Sequence, residues 1–219
     1  MLVREYMTRD FVTIGPEAPL SDAFKVMRTR NIHHLPVVEN DLLIGIVSDR
    51  DLLYALPSMD KTISWAETSS QAAALPVRQV MQHDVVTVCP DCPIELAAAT
   101  MADHSIGALP VVNSPESHTL VGIITQTDIF RLFVEMLGSR KPGVRASLEI
   151  ENRKGALASL FNRVVEAGGL VASVSSFPAT LPNRIRIILK VADVDQETMR
   201  SLLKPEETVI DLREIQGTP

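Results

Sequence analysis

The chain has 219 residues, of which 46% are hydrophobic and 22% are charged, and its formal net charge is −6. Because this balance is acidic, the composition excludes a generally basic surface for nucleic acid, and an anionic ligand would need a local site. The charged N-terminus excludes a signal-peptide core, no apolar run is long enough to cross a bilayer, and the two cysteines provide no disulfide framework. These features predict a soluble cytoplasmic protein with no nucleic-acid or membrane partner.

An internal repeat dominates the N-terminal part of the chain. Residues 7–13 return as residues 81–87, and the Leu-Pro-Val-Val segment at 35–38 returns at 109–112, each 74 positions later. After a short polar insertion in the second copy the offset becomes 77. Since identities, prolines and helical phase all recur together, the two segments are expected to form two copies of one structural unit.

Each copy is predicted to form a short strand, a helix, two strands and a second helix, because apolar residues at i, i+3, i+4 and i+7 are followed by short apolar runs. In the first copy these elements are expected at 12–14, 20–29, 35–38, 42–47 and 50–56. One such unit is too small to bury its sheet alone. The two copies are therefore expected to pack face to face and to leave clefts at their seam.

A polar segment at 57–75 separates the copies, which we place at 1–56 and 76–138. It contains the only tryptophan, Trp65. This composition predicts an exposed linker that is anchored by one packed aromatic side chain. A cover for a cleft, or a dimer contact, is the alternative interpretation.

Cys89 and Cys92 have the spacing of a redox or metal half-site. A structural zinc would need two further ligands, and the sequence offers no second pair. The cysteines occupy the positions that Gly15 and Ala18 hold in the first copy. We therefore expect an ordinary strand-to-helix turn here, with no metal and no cofactor.

A different pattern follows a short polar linker at 139–143. Alternating and helical periodicities over residues 144–214 predict the order βαββαβ, which is typical of a ferredoxin-like sandwich. Asn152 is expected to cap its first helix, and Asp193 or Asp195 its second. The predicted fold class is α+β / α/β, with two tandem β-α-β-β-α repeats followed by this smaller domain.

The repeated part of the sequence resembles a tandem pair of CBS domains. The resemblance is carried by the Leu-Pro-Val-Val strand together with Gly-Ile-Val-Ser-Asp-Arg-Asp at 45–51 and Gly-Ile-Ile-Thr-Gln-Thr-Asp at 122–128, and it covers residues 1–138. It implies a pseudo-two-fold pair of repeats that binds AMP, ATP or a related adenosine compound between them.

The C-terminal part is similar to ACT domains, which often bind amino acids and dimerise. Their usual Asp-x-Pro-Gly-x-Leu corresponds here to Asn152-Arg153-Lys154-Gly155-Ala156-Leu157. The resemblance implies an effector site at Asn152, Gly155, Ala156 and Leu157. Because asparagine lacks the charge of aspartate, a dimerisation module without an amino-acid ligand is an equal alternative. A CBS pair followed by an ACT domain resembles the acetoin-utilisation (AcuB-type) family of bacterial regulators.

A hydroxyl group followed three residues later by a carboxylate recurs where the second helix of each copy should begin, as Ser48 with Asp51 and as Thr125 with Asp128. One carboxylate can accept hydrogen bonds from both hydroxyls of a ribose, and a helix N-terminus favours phosphate. The same pattern is also that of a capping box, which satisfies free helix amides without any ligand. The residues alone leave both interpretations open.

The CBS resemblance implies two crossed nucleotide sites. The first would combine Ser48, Arg50 and Asp51 with Thr87, Gly107 and Ala108, and the second would combine Thr125 and Asp128 with Thr13, His33 and His34. Arg50 adds a phosphate contact that its counterpart Thr127 cannot make, so the first site is expected to take the more highly phosphorylated ligand. The two histidines could stack on a base or sense charge, or they could be surface or packing residues.

The sequence thus predicts a non-catalytic regulatory sensor that binds AMP, ADP, ATP or S-adenosylmethionine and forms a homodimer. An interaction scaffold with ligand-free clefts is the alternative. No nucleophile–base pair, metal cluster or Walker-type phosphate loop favours an enzyme. The isolated His104 and His118 are expected to be surface residues.

Overall fold

A computed structural model describes residues 1–55 and 74–217 of the chain. The chain divides into two compact units, Met1–Ile129 and Phe130–Pro219. The first unit contains both sequence repeats as far as the first turn of the second repeat's last helix. The predicted linker, including Trp65, lies outside the described residues except for its last two positions.

The first repeat contains three helices and two antiparallel strands. These are α1 (Val3–Tyr6), α2 (Leu20–Arg30), β1 (His34–Glu39), β2 (Leu42–Ser48) and α3 (Asp49–Ala55). Helix α2 ends at Asn31, whose left-handed φ of 52° lets the chain turn directly into β1. The strand predicted at 12–14 is wrong: only one parallel bridge forms, between Ile14 and Val37, because the chain turns at Gly15 immediately after it.

The second repeat copies this arrangement. A short 3-10 helix at Val77–Gln79 precedes α4 (Ile94–His104), β3 (Ala108–Val112), β4 (Leu120–Thr125) and α5 (Gln126–Met136). Helix α4 ends at Ser105, which has a left-handed φ of 55° as Asn31 does in the first copy. The strand pairs also agree, because the register of each pair shifts after the residue that faces the central glycine.

The apolar faces predicted for the two matching helices are buried. Leu20, Ala23 and Met27 are at most 3% exposed, and Ile94, Ala97 and Met101 are at most 4% exposed. In the first repeat these side chains form one buried cluster with Leu35, Val37 and Val47 of the strands. The helical phase read from the sequence therefore fixes which face of each helix packs on its sheet.

Each repeat sends its leading segment across the seam to the other copy. Thr8 exchanges two backbone hydrogen bonds with Ile123 in β4, at 2.8 and 3.1 Å. Gln82 makes the same pair of bonds with Ile46 in β2, also at 2.8 and 3.1 Å. The repeats are therefore held together by matched strand pairing, and neither copy is complete without the other's first residues.

The same crossing occurs further upstream. The Val3 N–H donates to the Cys92 carbonyl at 3.0 Å, and the Val77 N–H donates to the Ala18 carbonyl at 2.9 Å. An ion pair accompanies each crossing, Arg4 with Asp91 in one copy and Arg78 with Glu17 in the other.

Two glycines permit this close approach. A Cβ on Gly45 would lie 2.5 Å from the Met81 Sδ, and a Cβ on Gly122 would lie 2.7 Å from the Met7 Sδ. In both places the next backbone carbonyl oxygen of the crossing segment would be 3.1 Å away. A side chain at either position would displace the methionine and require the crossing backbone to move by a few tenths of an ångström.

The C-terminal unit contains one four-stranded antiparallel sheet and two helices. Its elements are β5 (Gly143–Glu151), α6 (Ala156–Glu166), β6 (Leu170–Pro178), β7 (Arg184–Ala192), α7 (Gln196–Ser201) and β8 (Thr208–Ile215). The strand order β6-β7-β5-β8 places the first and third strands in the middle. This matches the predicted βαββαβ order. Alternate residues of β5, from Val144 to Ile150, are buried against the core that Leu160 and Val164 of α6 complete.

The caps of these two helices differ from each other. The predicted Asn152 cap is wrong, because β5 runs to Glu151 and α6 begins only at Ala156, after Gly155 with a φ of 80°. No side-chain cap bond forms there. Asp195 caps α7 by accepting a 2.7 Å hydrogen bond from the Thr198 N–H.

Candidate ligand-binding cleft between the repeats

A cleft of about 610 Å³ lies between the two repeats within the first unit. One wall comes from the end of β2 and the start of α3, and the other comes from the crossing segment of the second repeat and the connection from α4 to β3. This volume falls in the range of about 300–1,000 Å³ that is usual for small-molecule sites. The cleft can hold a ligand of nucleoside size.

Ser48 and Asp51 lie on the first wall and form a reciprocal pair. Asp51 Oδ2 accepts hydrogen bonds from the Ser48 backbone N–H at 2.8 Å and from the Ser48 hydroxyl at 2.6 Å. The Ser48 hydroxyl oxygen accepts in turn from the Asp51 N–H at 3.2 Å. This is a complete capping box at the start of α3.

Thr125 and Asp128 repeat the arrangement at the start of α5. The Asp128 Oδ2 accepts from the Thr125 backbone N–H at 2.9 Å and from its hydroxyl at 2.7 Å, and the return bond to the threonine hydroxyl is 3.4 Å long. The helix-cap interpretation of both pairs is therefore confirmed. A helix cap is compatible with a ligand role, because the hydrogen bonds from the described residues fall on only one carboxylate oxygen of Asp51.

His34 and Gly107 meet across the seam. A Cβ on Gly107 would lie 3.0 Å from the His34 Cε1 and 3.1 Å from its Nε2, so the imidazole occupies the space that a side chain at 107 would need. Burial lowers the pKa of the His34 imidazole, and the neighbouring His33 lowers it further, whereas the carboxylates of Asp49 and Asp51 oppose the shift. The ring is therefore mainly neutral near pH 7.

The predicted first site is largely assembled. Ser48, Arg50, Asp51, Gly107 and Ala108 all line the cleft. Thr87 is not among the lining residues, and the two residues before it, Val85 and Val86, take its place.

His34 lines the Asp51 cleft, and its predicted grouping with Thr125 and Asp128 stays a prediction. His33 is exposed, with its Nδ1 2.8 Å from the Asp49 Oδ2. Among the described residues, Thr13, His33, Thr125 and Asp128 lie outside this cleft.

Several lining residues were not predicted from the sequence. Gln82 and Asp84 come from the crossing segment of the second repeat, and Gln126 opens α5. His104, expected at an isolated surface position, also lines the cleft. Asp84 and Gln126 are the counterparts of Asp10 and Asp49, but neither of those was a predicted site residue, so the repeat gave no signal for them.

The sequence matches the model of the CBS domain at residues 3–58 and again at 77–135. The chain belongs to the CBS-domain family. Residues 3–58 and 77–135 are thus the two CBS repeats, and the cleft lies between them.

Several known proteins are similar to this CBS-domain chain. It is 40% identical over 134 residues to homoserine O-acetyltransferase of Methanococcoides burtonii, which covers 59% of this chain but only 24% of that enzyme. The chain thus spans about a quarter of the length of that curated relative. It resembles the crystal structure of a Vibrio cholerae protein assigned to acetoin utilisation (AcuB), with 38% identity, a TM-score of 0.52, and coverage of 63% of this chain and 93% of that one.

Two further similar structures contain adenosine compounds. The CBS-domain pair of protein MJ0100, in complex with 5′-methylthioadenosine and S-adenosyl-L-methionine, is 28% identical with a TM-score of 0.52, covering 62% of this chain and 97% of that one. The protein CBSX2, in complex with AMP, is 26% identical with a TM-score of 0.52, covering 62% and 97%.

The effector site predicted after the CBS pair is shallow. Ala156 is buried and Leu157 is packed against the core of the C-terminal unit, so both serve the fold. The nearby pocket, lined by Arg153, Ala156 and Glu207 among others, holds only about 10 Å³. That is room for about one water molecule. A free amino acid would need additional walls.

The two cysteines lie in the second CBS repeat where a turn was predicted. The Cys92 N–H donates to the Cys89 carbonyl at 3.0 Å, which closes the turn before α4 and confirms that prediction. Burial raises the pKa of the Cys92 thiol, and the Cys89 thiol beside it raises the pKa further. Over the described residues, the acidic, histidine and cysteine side chains form no group of three that could hold a metal ion. None of the described helices combines the length and apolar character needed to span a bilayer.

Proposed function

We propose that this chain is a non-catalytic regulatory sensor that binds an adenosine compound in the cleft between its CBS repeats. The observation that carries the proposal is the position of Asp51. Its carboxylate is held on the wall of a nucleoside-sized cleft, and the other repeat closes that cleft. The adenosine compounds bound by the similar CBS pairs support the proposal.

The Asp51 carboxylate is suited to a ribose. The capping bonds from Ser48 engage Oδ2 and fix the plane of the carboxylate, while no hydrogen bond from a described residue falls on Oδ1. Two adjacent ribose hydroxyls can donate to such a carboxylate, and hydrogen bonds to a charged acceptor are about twice as strong as neutral ones. The cap and the ligand role are therefore compatible.

The part of the cleft where the two repeats meet is suited to a base. His34 presents a neutral aromatic ring beside Gly107, and Ala108 and Pro110 next to it are small or flat. An aromatic side chain can stack on a purine at modest cost in conformational freedom. A ligand held in this way would contact both repeats, so its binding would depend on how the repeats are placed relative to each other.

Regulation follows from that double contact. A ligand shifts a conformational equilibrium only when its affinity differs between the two states. A compound that bridges the repeats meets this condition. If one repeat moves relative to the other, the compound keeps its contacts with one wall of the cleft and loses contacts with the other. We infer that occupancy of the cleft is the signal that a partner or a second copy of the chain detects.

We also propose that residues 144–214 form an ACT-like module that follows a linker at 139–143 and makes the protein a homodimer. Its βαββαβ order and the left-handed Gly155 at the start of α6 support this assignment. Amino-acid binding at Asn152 and Gly155 would require walls from a second copy, because the pocket of one chain is so small. The similarity to the Vibrio protein supports a role in regulating acetoin utilisation.

Calorimetry with AMP, ADP, ATP, S-adenosylmethionine and 5′-methylthioadenosine tests the sensor proposal. At least one compound should bind the full chain, and Asp51→Ala should weaken that binding by about tenfold or more, because it removes charge-assisted hydrogen bonds. Sedimentation of the same samples should show a dimer.

Asp128→Ala is the matched control, because it removes the same kind of cap outside this cleft. It should leave the affinity of the Asp51 cleft unchanged, whether or not it removes a second site. The proposal fails if no compound binds the wild type, or if Asp51→Ala binds as tightly as the wild type does.

The alternative function is an interaction scaffold whose clefts stay empty. The complete capping boxes favour it, because they explain both hydroxyl–carboxylate pairs without any ligand. A scaffold would dimerise and show no heat of binding with any of these compounds. Under that function, Asp51→Ala and Asp128→Ala would lower stability by similar amounts and do nothing else.

A further inference from the structure

The charge of the cleft bears on which adenosine compound it accepts. Of the described residues that line it, three are carboxylates, Asp49, Asp51 and Asp84, and one is a guanidinium, Arg50. His34 adds little positive charge near neutral pH, since burial lowers its pKa from an ordinary value of about 6.5. A triphosphate would bring several negative charges into a site that already has an excess of them.

The start of α3 does not offset this excess. Asp49 and Asp51 both lie in its first turn, so two carboxylates already face the amide groups that could otherwise attract a phosphate. Arg50 lies between them in the sequence and is exposed. One solvated guanidinium beside two carboxylates leaves little net attraction for a polyphosphate.

Of the three carboxylates that line the cleft, Asp84 has the fewest partners to offset its negative charge. Asp49 has the imidazole of His33 at 2.8 Å, and Asp51 accepts the capping bonds from Ser48. Asp84 lies exposed on the opposite wall and makes no ion pair or hydrogen bond with any residue in the described ranges. It is placed to attract a cation and to repel a phosphate.

Apolar side chains make up much of the remaining wall. Ile46, Val85, Val86 and Ile106 all line the cleft. Such surfaces gain free energy from covering methyl and thioether groups, and they provide no donors for phosphate oxygens.

We propose that this cleft selects adenosine compounds whose 5′ substituent is neutral or cationic, such as a thioether or a sulfonium, over nucleoside polyphosphates. This rests on the proposed function and reverses the preference for a more phosphorylated ligand that Arg50 suggested from the sequence. Asp51 holds the ribose, and Asp84 sets the selectivity through its charge.

Titration calorimetry on the full chain at low ionic strength tests the selectivity. 5′-Methylthioadenosine and S-adenosylmethionine should bind more tightly than AMP, and AMP more tightly than ATP. Asp84→Asn keeps the shape of the side chain and removes its charge, so it should raise ATP affinity about fivefold, the effect of one charge pair at about 1 kcal/mol in a solvated site. The affinity for 5′-methylthioadenosine, which is neutral, should stay the same.

Asp10→Asn is the matched control. Asp10 is the counterpart of Asp84 in the first repeat, is equally exposed and lies outside this cleft, so its removal changes the net charge equally and should leave ATP binding unchanged. The selectivity proposal is overturned if ATP binds the wild type as tightly as 5′-methylthioadenosine does, or if Asp10→Asn and Asp84→Asn raise ATP affinity equally. Failure of every adenosine compound to bind would instead remove the proposed function itself.

Discussion

The two CBS repeats agree at the glycines that admit the crossing segments and at the helix caps, and they differ at several residues that face the cleft. Gly45 and Gly122 admit the same methionine contact, and the two capping boxes have the same bonds. By contrast, His34 corresponds to Ala108, and Asp49 corresponds to Gln126.

This difference separates two kinds of constraint within one chain. A residue that shapes the backbone must do so in both copies, because each copy completes the other through its crossing segment. A residue that only faces the cleft can change in one copy without affecting the fold. We therefore expect the mismatched positions to make the two repeats differ in ligand preference, and the matched glycines and capping pairs to determine stability. A matched residue can also face the cleft, as Asp51 and Asp84 do.

The largest effect should come from the seam glycines. Gly45→Ala and Gly122→Ala would each place a methyl group against a methionine sulfur and 3.1 Å from a backbone oxygen of the crossing segment. Overpacking of this kind costs about 1–3 kcal/mol. We expect both substitutions to lower the free energy of unfolding by similar amounts in urea denaturation followed by circular dichroism.

Gly15→Ala provides the control for the seam glycines. No atom lies within 4 Å of a Cβ at that position, and its backbone is not left-handed. Alanine there should leave stability unchanged or raise it by up to about 1 kcal/mol, because it restricts the unfolded chain. If Gly45→Ala proved as harmless as Gly15→Ala, the matched contacts would not be what holds the repeats together.

A smaller effect is expected at the capping boxes. Ser48→Ala and Thr125→Ala remove the hydroxyl that bonds both the carboxylate and the helix amide, which costs about 1 kcal/mol at a helix N-terminus. The return bond is 3.2 Å long in the first repeat and 3.4 Å long in the second, so Thr125→Ala should cost no more than Ser48→Ala.

Thermal unfolding of the capping variants measures this difference, with Ser48→Thr as the variant that keeps the hydroxyl. Ser48→Thr should unfold within a degree or two of the wild type. A Ser48→Ala protein as stable as the wild type would show that the box contributes nothing to the fold. Helix capping would then not explain why an aspartate occupies position 51, and ligand binding would be the remaining explanation.

Local patterns in the sequence predicted the local structure well. The i, i+3 hydroxyl–carboxylate spacing predicted both capping boxes, and the i, i+3, i+4, i+7 periodicity predicted the helices α2 and α4. The crossing of Thr8 and Gln82 to the opposite repeat was missed, because each contact is a single pair of backbone bonds between distant residues and leaves no periodicity in the sequence.

The two histidines show what a local pattern leaves out. His34 lines the cleft, whereas His33 contacts Asp49, which lies 16 positions away, and a contact over that distance leaves no periodicity in the sequence. The Asn152 cap failed because the left-handed Gly155 delays the start of α6 by a full turn, and no propensity of Asn152 predicts that.

The smallest predicted effect concerns His34, where the repeats differ most in chemistry. Burial lowers the pKa of His34 below the value of about 6.5 that it has in the unfolded chain, so the unfolded state binds the proton more readily. The stability that depends on a neutral His34 is therefore fully present above about pH 6.5 and is lost as the pH falls through the lower pKa of the folded state. Asp49 and Asp51 oppose the shift and keep the effect small.

Urea denaturation of the wild type and of His34→Gln between pH 7.5 and 5 measures the effect of His34. Glutamine occupies a similar volume and does not titrate, so the variant should lose less stability on acidification than the wild type does. His34→Ala, which gives the first repeat the residue that the second has as Ala108, should lose less as well. If stability fell equally with pH in all three proteins, the ring of His34 would be solvated in the folded state and would not form part of the cleft wall. Because protonation of His34 would also add a positive charge beside Asp49 and Asp51, the same acidification should narrow the preference for neutral ligands over AMP more in the wild type than in His34→Gln. Protonation of the AMP phosphate near pH 6 narrows that preference in both proteins.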